Sequence, residues 1–402
     1  MLKISEAYEV VAKKALASRL LWETMPLGEA IGRVTAQAVR SPIDLPPFNK
    51  SAMDGYAIPQ GEFLDEYIID ATLPAGCVYT DPIEPGHCIK IMTGAQVPPG
   101  IACIVPWEDT DRGESIVRIL AKSNRTNIAE QGEDIRKGDV LCPAGNILTP
   151  LNVANLAIAG VNSIEVSRVP RAAVFSTGDE LLPAGMPLVP GKIYDSNGPM
   201  LIALLMDCGI PITYIGHLPD SLDESIAGLQ RGLAAADVVL LTGAVSKGEF
   251  DFLPEAFHRC GLETYFDEIS VKPGKPTTFA TAGNKLIFGL PGNPVSSFLM
   301  FHLFVKPAIY MMQGHIVHPR PVSLELAAEF RTKESDRVRF LPAKLDTDGR
   351  VVPIEYHGSG HLLALADADG FIEVGAEVTR LSAGERLPFW PIMMRGYESI
   401  IV

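Results

Sequence analysis

From about residue 170 to residue 312, short apolar runs alternate with segments of helical character. "RAAVFSTGDEL" is an apolar run that ends in a polar, glycine-containing loop, and "DVVLLTG" is the continuous apolar run of a strand buried on both faces. "ITYIGHLPD" and "KLIFGLPGN" also read as strands. Between them, "GPMLIALLMDCG" reads as a helix stopped at Gly209. "SLDESIAGLQRGLAAA" opens with Ser221 and Glu224 at capping-box spacing. "FLPEAFHRCG" is a third helix, and "PVSSFLMFHLFVKPAIYMM" a fourth with Pro294 in its first turn. Strands that alternate with helices predict a doubly wound parallel α/β sheet.

The flanks have a different grammar. "MLKISEAYEVVAKKAL" has no apolar signal core and predicts an amphipathic helix near the start, to about residue 22. Residues 40–170 and those after about 318 read as short β-rich pieces between turn signals. The 402 residues suit about two to three domains. The expected fold is therefore multi-domain α/β plus β, with a β-rich N-terminal region at 1–169, a central α/β domain at 170–316 and a small C-terminal β domain at 317–402.

Composition narrows the function. The formal charge of −14 argues against general nucleic-acid or anionic-membrane binding, which need broad basic surface. The most apolar stretch, Phe298–Met312, is interrupted by His302, Lys306 and Pro307 and is expected to be too short to span a bilayer. Six scattered cysteines without a C-x-x-C pair point to reduced thiols in the cytoplasm, not a disulfide framework or a zinc site. No Walker A sequence, G-x-G-x-x-G or G-x-S-x-G elbow is present, so an ordinary ATPase, dehydrogenase or serine hydrolase is not supported.

In an open parallel sheet, ligands bind at the carboxyl ends of the strands. Four loops expected there share small residues, carboxylates and amides: "STGDEL" (176–181), "YDSNG" (194–198), "TGAVSKGEFD" (242–251) and "LPGNP" (290–294). Glycine lets a backbone approach a ligand closely, and its N–H can help cradle an anion. The last loop opens a helix, where phosphate is favoured. "VKPGKP" (271–276) can present Lys272 and Lys275 together, two compact charges suited to an oxyanion. In the N-terminal region, Asp54 sits in an otherwise small and apolar segment, which calls for a cap, a metal or a buried partner. Carboxylates from separate segments also suit Mg²⁺ bound together with phosphates.

Taken in order, "PPFNKSAMDGYAI", "TGAQVPPG…IVPWED", "GEDIRKGD", "STGDEL", "YDSNG", "TGAVSKGEFDF", "KPGKP" and "GLPGNPVSSF" resemble the molybdopterin molybdenumtransferase (MoeA) family, which includes the E domain of gephyrin. The resemblance runs from about residue 4 to the C-terminus. It implies an elongated homodimer, a molybdopterin-binding central domain, a C-terminal β-barrel-like domain and a β-rich lobe at about 49–141 inserted in the N-terminal region. The implied reaction is insertion of molybdate into adenylylated molybdopterin, with Mg²⁺, releasing AMP and molybdenum cofactor. Other molybdenum cofactor biosynthesis proteins and molybdoenzyme maturation factors are the implied partners.

Carried over residue by residue, the resemblance implies that Thr177, Gly178, Asp179, Glu180, Ser196 and Asn197 contact the pterin–nucleotide or its metal. Gly243, Ser246 and Asp251 would line the same pocket, and Pro291, Gly292 and Asn293 would approach the phosphate. Asp54, Asp134, Glu180 and Asp251 would orient the attacking oxygen, with Asp54, Glu180 and Asp251 as Mg²⁺ ligands. Lys272, Lys275 and Arg339 would attract molybdate, and Ser359 would donate to it. Thr93 and Gly94 would support Asp54 across the dimer cleft. Departures from the usual pattern are Asn49-Lys50, Ala244, Lys247 and Leu363-Ala364. A non-catalytic pterin-binding scaffold and a tungstate-inserting homologue are the alternatives.

Overall fold

The structure, a computed structural model, describes residues 1–61, 63–122, 124–243 and 252–392. The chain divides into two compact units, one of Thr24–Glu165 and one of Met1–Glu23 with Val166–Val402.

The larger unit is built on a six-stranded sheet. Its order is Ile212–Leu218, Ala172–Thr177, Val238–Thr242, Lys285–Leu290, Thr278–Ala282, Glu263–Phe266. The first four strands are parallel, as the alternation predicts. One strand breaks the expected pattern: Thr278–Ala282 runs antiparallel to both neighbours, and Glu263–Phe266 beyond it runs in the direction of the first four. Only Gly283 and Asn284 join Thr278–Ala282 to Lys285–Leu290. A link that short makes a hairpin and cannot make a crossover.

Side chains of a strand alternate between faces, so each buried strand serves two cores. Val174, Leu240, Phe279 and Phe288 pack with the helices Asn197–Asp207 and Pro294–Met312. Phe175, Leu241, Ala280 and Ile287 pack with Leu222–Ala235 and Leu253–Arg259. Each fully buried Leu or Phe contributes about 1.5–3 kcal/mol. Helix Leu222–Ala235 starts where the sequence places it, but the expected capping box does not form. Ser221 is the extended N-cap, and its side chain makes no cap bond.

The helix Pro294–Met312 forms over the residues that the sequence predicts; at 19 residues it is long and apolar enough to cross a membrane by length and composition, although its stretch from Phe298 reads as too short. It is a core helix here, with 83% of its most apolar window buried. The N-terminal helix Ile4–Ala17 buries Ala7, Val11 and Ala15 at every fourth position, in the same cluster as Met311 and Met312. The C-terminal sheet has the order Val271–Lys272, Val338–Leu345, Gly370–Val374, Arg386–Pro391, Val322–Glu325. Its first strand is thus supplied from upstream, by the segment that carries the paired lysines.

The smaller unit contains a five-stranded sheet in the order Ile101–Pro106, Gly55–Pro59, His87–Ile91, Glu66–Leu73, Ile116–Arg118. Ala57, Ile89 and Ile104 fill one face, and Tyr56, Cys88 and Val105 the other. Helix Pro150–Ile158 begins with a capping box. The Asn152 N–H donates to Thr149 Oγ1 (3.2 Å), and the Thr149 N–H donates to Asn152 Oδ1 (2.9 Å).

One ion pair fixes the entry to the first central strand. Arg168 donates twice to Asp237, at 2.9 and 3.1 Å, and the Arg171 N–H donates at 2.8 Å. Burial works to raise the Asp237 carboxyl, but these donors and charges leave it below the usual carboxylate range. A lowered folded value means stability that is present above the unfolded titration and lost as pH falls through the folded one. The destabilisation by Asp237→Asn should therefore be full above about pH 5 and shrink below about pH 4. Denaturant midpoints of both proteins across that range provide the check.

Candidate active site

The carboxyl edge of the parallel strands gathers the glycine-containing loops. In register, Phe175 faces Leu241, Leu241 faces Gly289, and Gly289 faces Thr278. The loops after Thr177, Thr242 and Leu290 therefore leave from one edge. Because Thr278–Ala282 is antiparallel, its start lies at that edge too, and "KPGKP" immediately precedes it. Three strand spacings of about 4.8 Å put the outer two of these four strands about 14 Å apart, a span suited to an extended ligand.

The turns at this edge are in close contact. Thr177 Oγ1 donates to the Thr242 carbonyl at 2.8 Å. Gly243 has φ +110°, and a Cβ there would lie 2.5 Å from the Thr177 carbonyl oxygen, so no larger residue fits without a shift. Gly292 approaches the Gly243 Cα, and Asn197 Nδ2 donates to the Gly292 carbonyl at 2.7 Å. Asn197 Oδ1 and Thr242 Oγ1 are buried and have no hydrogen-bond partner among the described residues. Buried polar atoms are normally paired, so a polar ligand at this edge is the natural partner for both.

The "STGDEL" loop is fastened from both sides. Asp179 N–H donates to Asp220 Oδ2 (3.4 Å), and Asp220 N–H donates to Asp179 Oδ1 (3.2 Å). On the other side, Lys192 Nζ donates to the Asp179 carbonyl, and Ile193 N–H to the Glu180 carbonyl at 2.9 Å. Glu180 is exposed and folds its carboxylate over Gly178, where a Cβ would lie 2.3 Å from Oε2. Ser196 is exposed at the cap of the helix Asn197–Asp207. Its neighbour Asp195 does the fixing: it accepts from Ser176 Oγ and from the Gly198 N–H (3.0 Å). Thr242, Asp195, Asp220 and Lys192 escape the sequence reading of individual residues. Only the polar character of the loops that hold Thr242 and Asp195 hinted at them.

At the phosphate-type loop, Pro291 is buried while Gly292 and Asn293 are exposed. The Ser359 carbonyl accepts from the Val295 N–H at 3.2 Å, so the "GSG" turn rests on the start of this helix. Leu363, in the segment that departs from the family pattern, is 81% exposed. Lys272 is exposed, and Lys275 Nζ lies 3.3 Å from Glu268 Oε1. Arg339 corrects the sequence reading. It pairs in register with Lys272 but is only 3% exposed, and its guanidinium donates to the Lys333, Gly375 and Val378 carbonyls and to Thr332 Oγ1. Arg339 fastens a turn of the C-terminal sheet and is not free to attract an anion. Ser246 and Asp251 lie outside the described residues.

In the smaller unit, Asp54 Oδ1 accepts from the Thr93 N–H (2.7 Å) and Thr93 Oγ1 (2.8 Å). The expected support is thus given within one chain. Gly94, at φ +82°, donates its N–H to the Ser51 carbonyl at 2.8 Å and closes the turn. The Thr93 N–H, then its hydroxyl, hold the Asp54 carboxyl below the usual range. Asp134 is exposed in a turn whose N–H donates to the Leu45 carbonyl at 3.0 Å. Among the described residues, no three of His, Cys, Asp and Glu gather as a metal-holding group.

Residues 2–160 match the MoeA N-terminal region (domain I and II), residues 173–310 a probable molybdopterin-binding domain, and residues 325–392 the MoeA C-terminal region (domain IV). A molybdopterin molybdenumtransferase of Staphylococcus epidermidis is 33% identical over 395 residues, covering 95% of this chain and 94% of that one. The chain belongs to the MoeA family. A second MoeA relative, the molybdopterin molybdenumtransferase of Staphylococcus aureus, is 35% identical over 358 residues, covering 86% of this chain and 85% of its own. The crystal structure of a molybdopterin biosynthesis MoeA protein from Pyrococcus horikoshii superposes with a TM-score of 0.81 at 28% identity, covering 97% of this chain and all of that one.

Thr93→Val removes one of the two donors to Asp54. The Asp54 carboxyl should then titrate higher, nearer its ordinary value of about 3.9. Side-chain carbonyl NMR across an acid titration reads this directly, and an unmoved midpoint would show that the hydroxyl does not hold the carboxylate.

Proposed function

We propose that this chain inserts molybdate into adenylylated molybdopterin, releasing AMP and molybdenum cofactor. The observation that carries the reading is the pair of unpartnered buried atoms, Asn197 Oδ1 and Thr242 Oγ1, where three glycine-containing turns converge. Asn197 Oδ1 can accept from an N–H of the pterin, and the Thr242 hydroxyl can donate or accept beside it. The backbone of 291–293, at the start of the Pro294 helix, suits the phosphate. Lys275, half-buried against Glu268, and exposed Lys272 approach from the antiparallel side, where a dianion such as molybdate is attracted. Ser359, whose carbonyl accepts from the start of the same helix, is our candidate to donate its hydroxyl to the oxyanion.

Mg²⁺ takes oxygen ligands and uses only one or two protein carboxylates when phosphates share it. The exposed carboxylate of Glu180 fits that demand, with Asp54 and Asp251 as further candidates and Asp134 as a weaker one. When bound, the ion neutralises charge on the phosphoanhydride. The chain's own part is to fix Glu180 on a loop held from both sides and to hold Asp54 ionised through Thr93.

We further read the enzyme as a cytoplasmic homodimer. All six cysteines are free thiols, which fits a reducing compartment. Leu151 and Ile158, 76% and 69% exposed, lie on one face of the helix Pro150–Ile158, an apolar stripe that a second copy would cover. Leu151→Lys with Ile158→Lys should halve the mass seen by light scattering; an unchanged mass would remove this face from the interface.

Purified protein mixed with adenylylated molybdopterin, Mg²⁺ and molybdate should release AMP. Glu180→Ala should lower the turnover at least about 100-fold, the scale of losing one positioned electrostatic group. Tight pterin binding by the wild type without AMP release would instead make the protein a scaffold.

A further inference from the structure

We propose that Asp195 is a positioning residue for substrate recognition: it staples the start of the helix Asn197–Asp207 to the end of a central strand, and so presents the Asn197 Oδ1 acceptor to the pterin. The inference rests on the functional reading above and extends it to a residue that acts through Asn197.

Val174 packs toward the helix Asn197–Asp207, so Ser176, two residues on, points to that same face. Leu240 and Thr242 repeat this one strand over, and Ser176 lies opposite Thr242 in register. Two hydroxyls thus stand side by side at the helix start. Asp195 takes one of them. Its Oδ2 accepts from Ser176 Oγ, and its Oδ1 accepts from the Gly198 N–H at 3.0 Å. A first-turn N–H has no partner within its own helix, so Gly198 relies on this carboxylate. The approach is as close as a backbone allows: a Cβ on Gly198 would lie 2.6 Å from Asp195 Oδ2 and 2.7 Å from Ser176 Oγ.

The consequence falls on Asn197, which sits between Asp195 and Gly198. Its Nδ2 donates to the Gly292 carbonyl at 2.7 Å. That bond sets the flip of the amide and leaves Oδ1 as an acceptor without a partner among the described residues. Several bonds remain when the Asp195 side chain is removed. The Asp195 N–H still donates to the Leu182 carbonyl at 2.8 Å, the Met200 N–H to the Ser196 carbonyl at 3.2 Å, and Asn197 to Gly292. These hold the loop and the helix, so the fold survives. None of these joins the helix start to Ser176, and without that staple the first turn shifts against the strand and carries Asn197 Oδ1 out of line.

Asp195→Ala, Asp195→Asn, Asn197→Ala and the double variant of Asp195→Ala with Asn197→Ala are compared with the wild type in the full-length protein. Asp195→Ala should raise the KM for adenylylated molybdopterin about tenfold, with kcat changed less than about threefold. Asp195→Asn keeps an oxygen for the Gly198 N–H and an amide for the Ser176 hydroxyl, and should stay within about threefold of the wild type. The double variant should have the KM of Asn197→Ala alone, because Asp195 acts through that amide. An unchanged KM in Asp195→Ala overturns the staple. A double variant whose loss is the product of the two single losses overturns the route through Asn197. Ser176→Ala cuts the staple at the strand end only and should raise KM about threefold; it carries both comparisons if Asp195→Ala melts early. If the wild type releases no AMP, the functional reading fails. Dissociation constants for adenylylated molybdopterin, read by pterin fluorescence in the same variants, then decide the staple by the same two comparisons.

Discussion

The site depends on one constraint, the register of the central ladder. Four side-by-side strands place Phe175, Leu241, Gly289 and Thr278 in one row, and the loops after Thr177, Thr242 and Leu290 leave the sheet within two or three residues of that row. The row is enforced by burial on both faces. A slip of one residue would turn Val174, Leu240 and Phe288 toward the opposite helices and exchange the two cores. The chemistry at the edge is therefore positioned by apolar residues that never meet the ligand.

The antiparallel strand Thr278–Ala282 matters as much as the parallel ones. Had Thr278–Ala282 followed a crossover helix, its preceding loop would have opened on the opposite side of the sheet. The Gly283-Asn284 turn reverses the direction and carries Lys272 and Lys275 to the carboxyl edge. Cationic and carboxylate-bearing loops thus share one edge of the sheet through topology, although they lie about a hundred residues apart in sequence.

Much of this was legible in the chain. The apolar runs at 172–177 and 238–242 and the Pro294 helix start follow from period and punctuation, and the loops at 176–181 and 290–294 stand out by composition. What stayed hidden is decided by three-dimensional pairing. Asp220 lies on a different loop from Asp179, with which it exchanges hydrogen bonds, and no spacing rule links them. Arg339 looked like an anion-binding cation because a sequence shows charge but not depth; in the fold, carbonyls surround it and burial lowers its basicity. Ser221 carries a capping-box spacing that the side chain does not use: the helix begins with the main-chain bond from the Ser225 N–H to the Ser221 carbonyl at 2.9 Å and no side-chain cap.

The segment between the two larger sheets of the greater unit has a mechanical meaning. Val271–Lys272 is stitched to Val338–Arg339, while Thr278 is stitched to Gly289. Residues 273–277 are therefore a short strap anchored at both ends to different ladders. Any sliding of one sheet past the other has to be absorbed within that strap, and Lys275 rides on it.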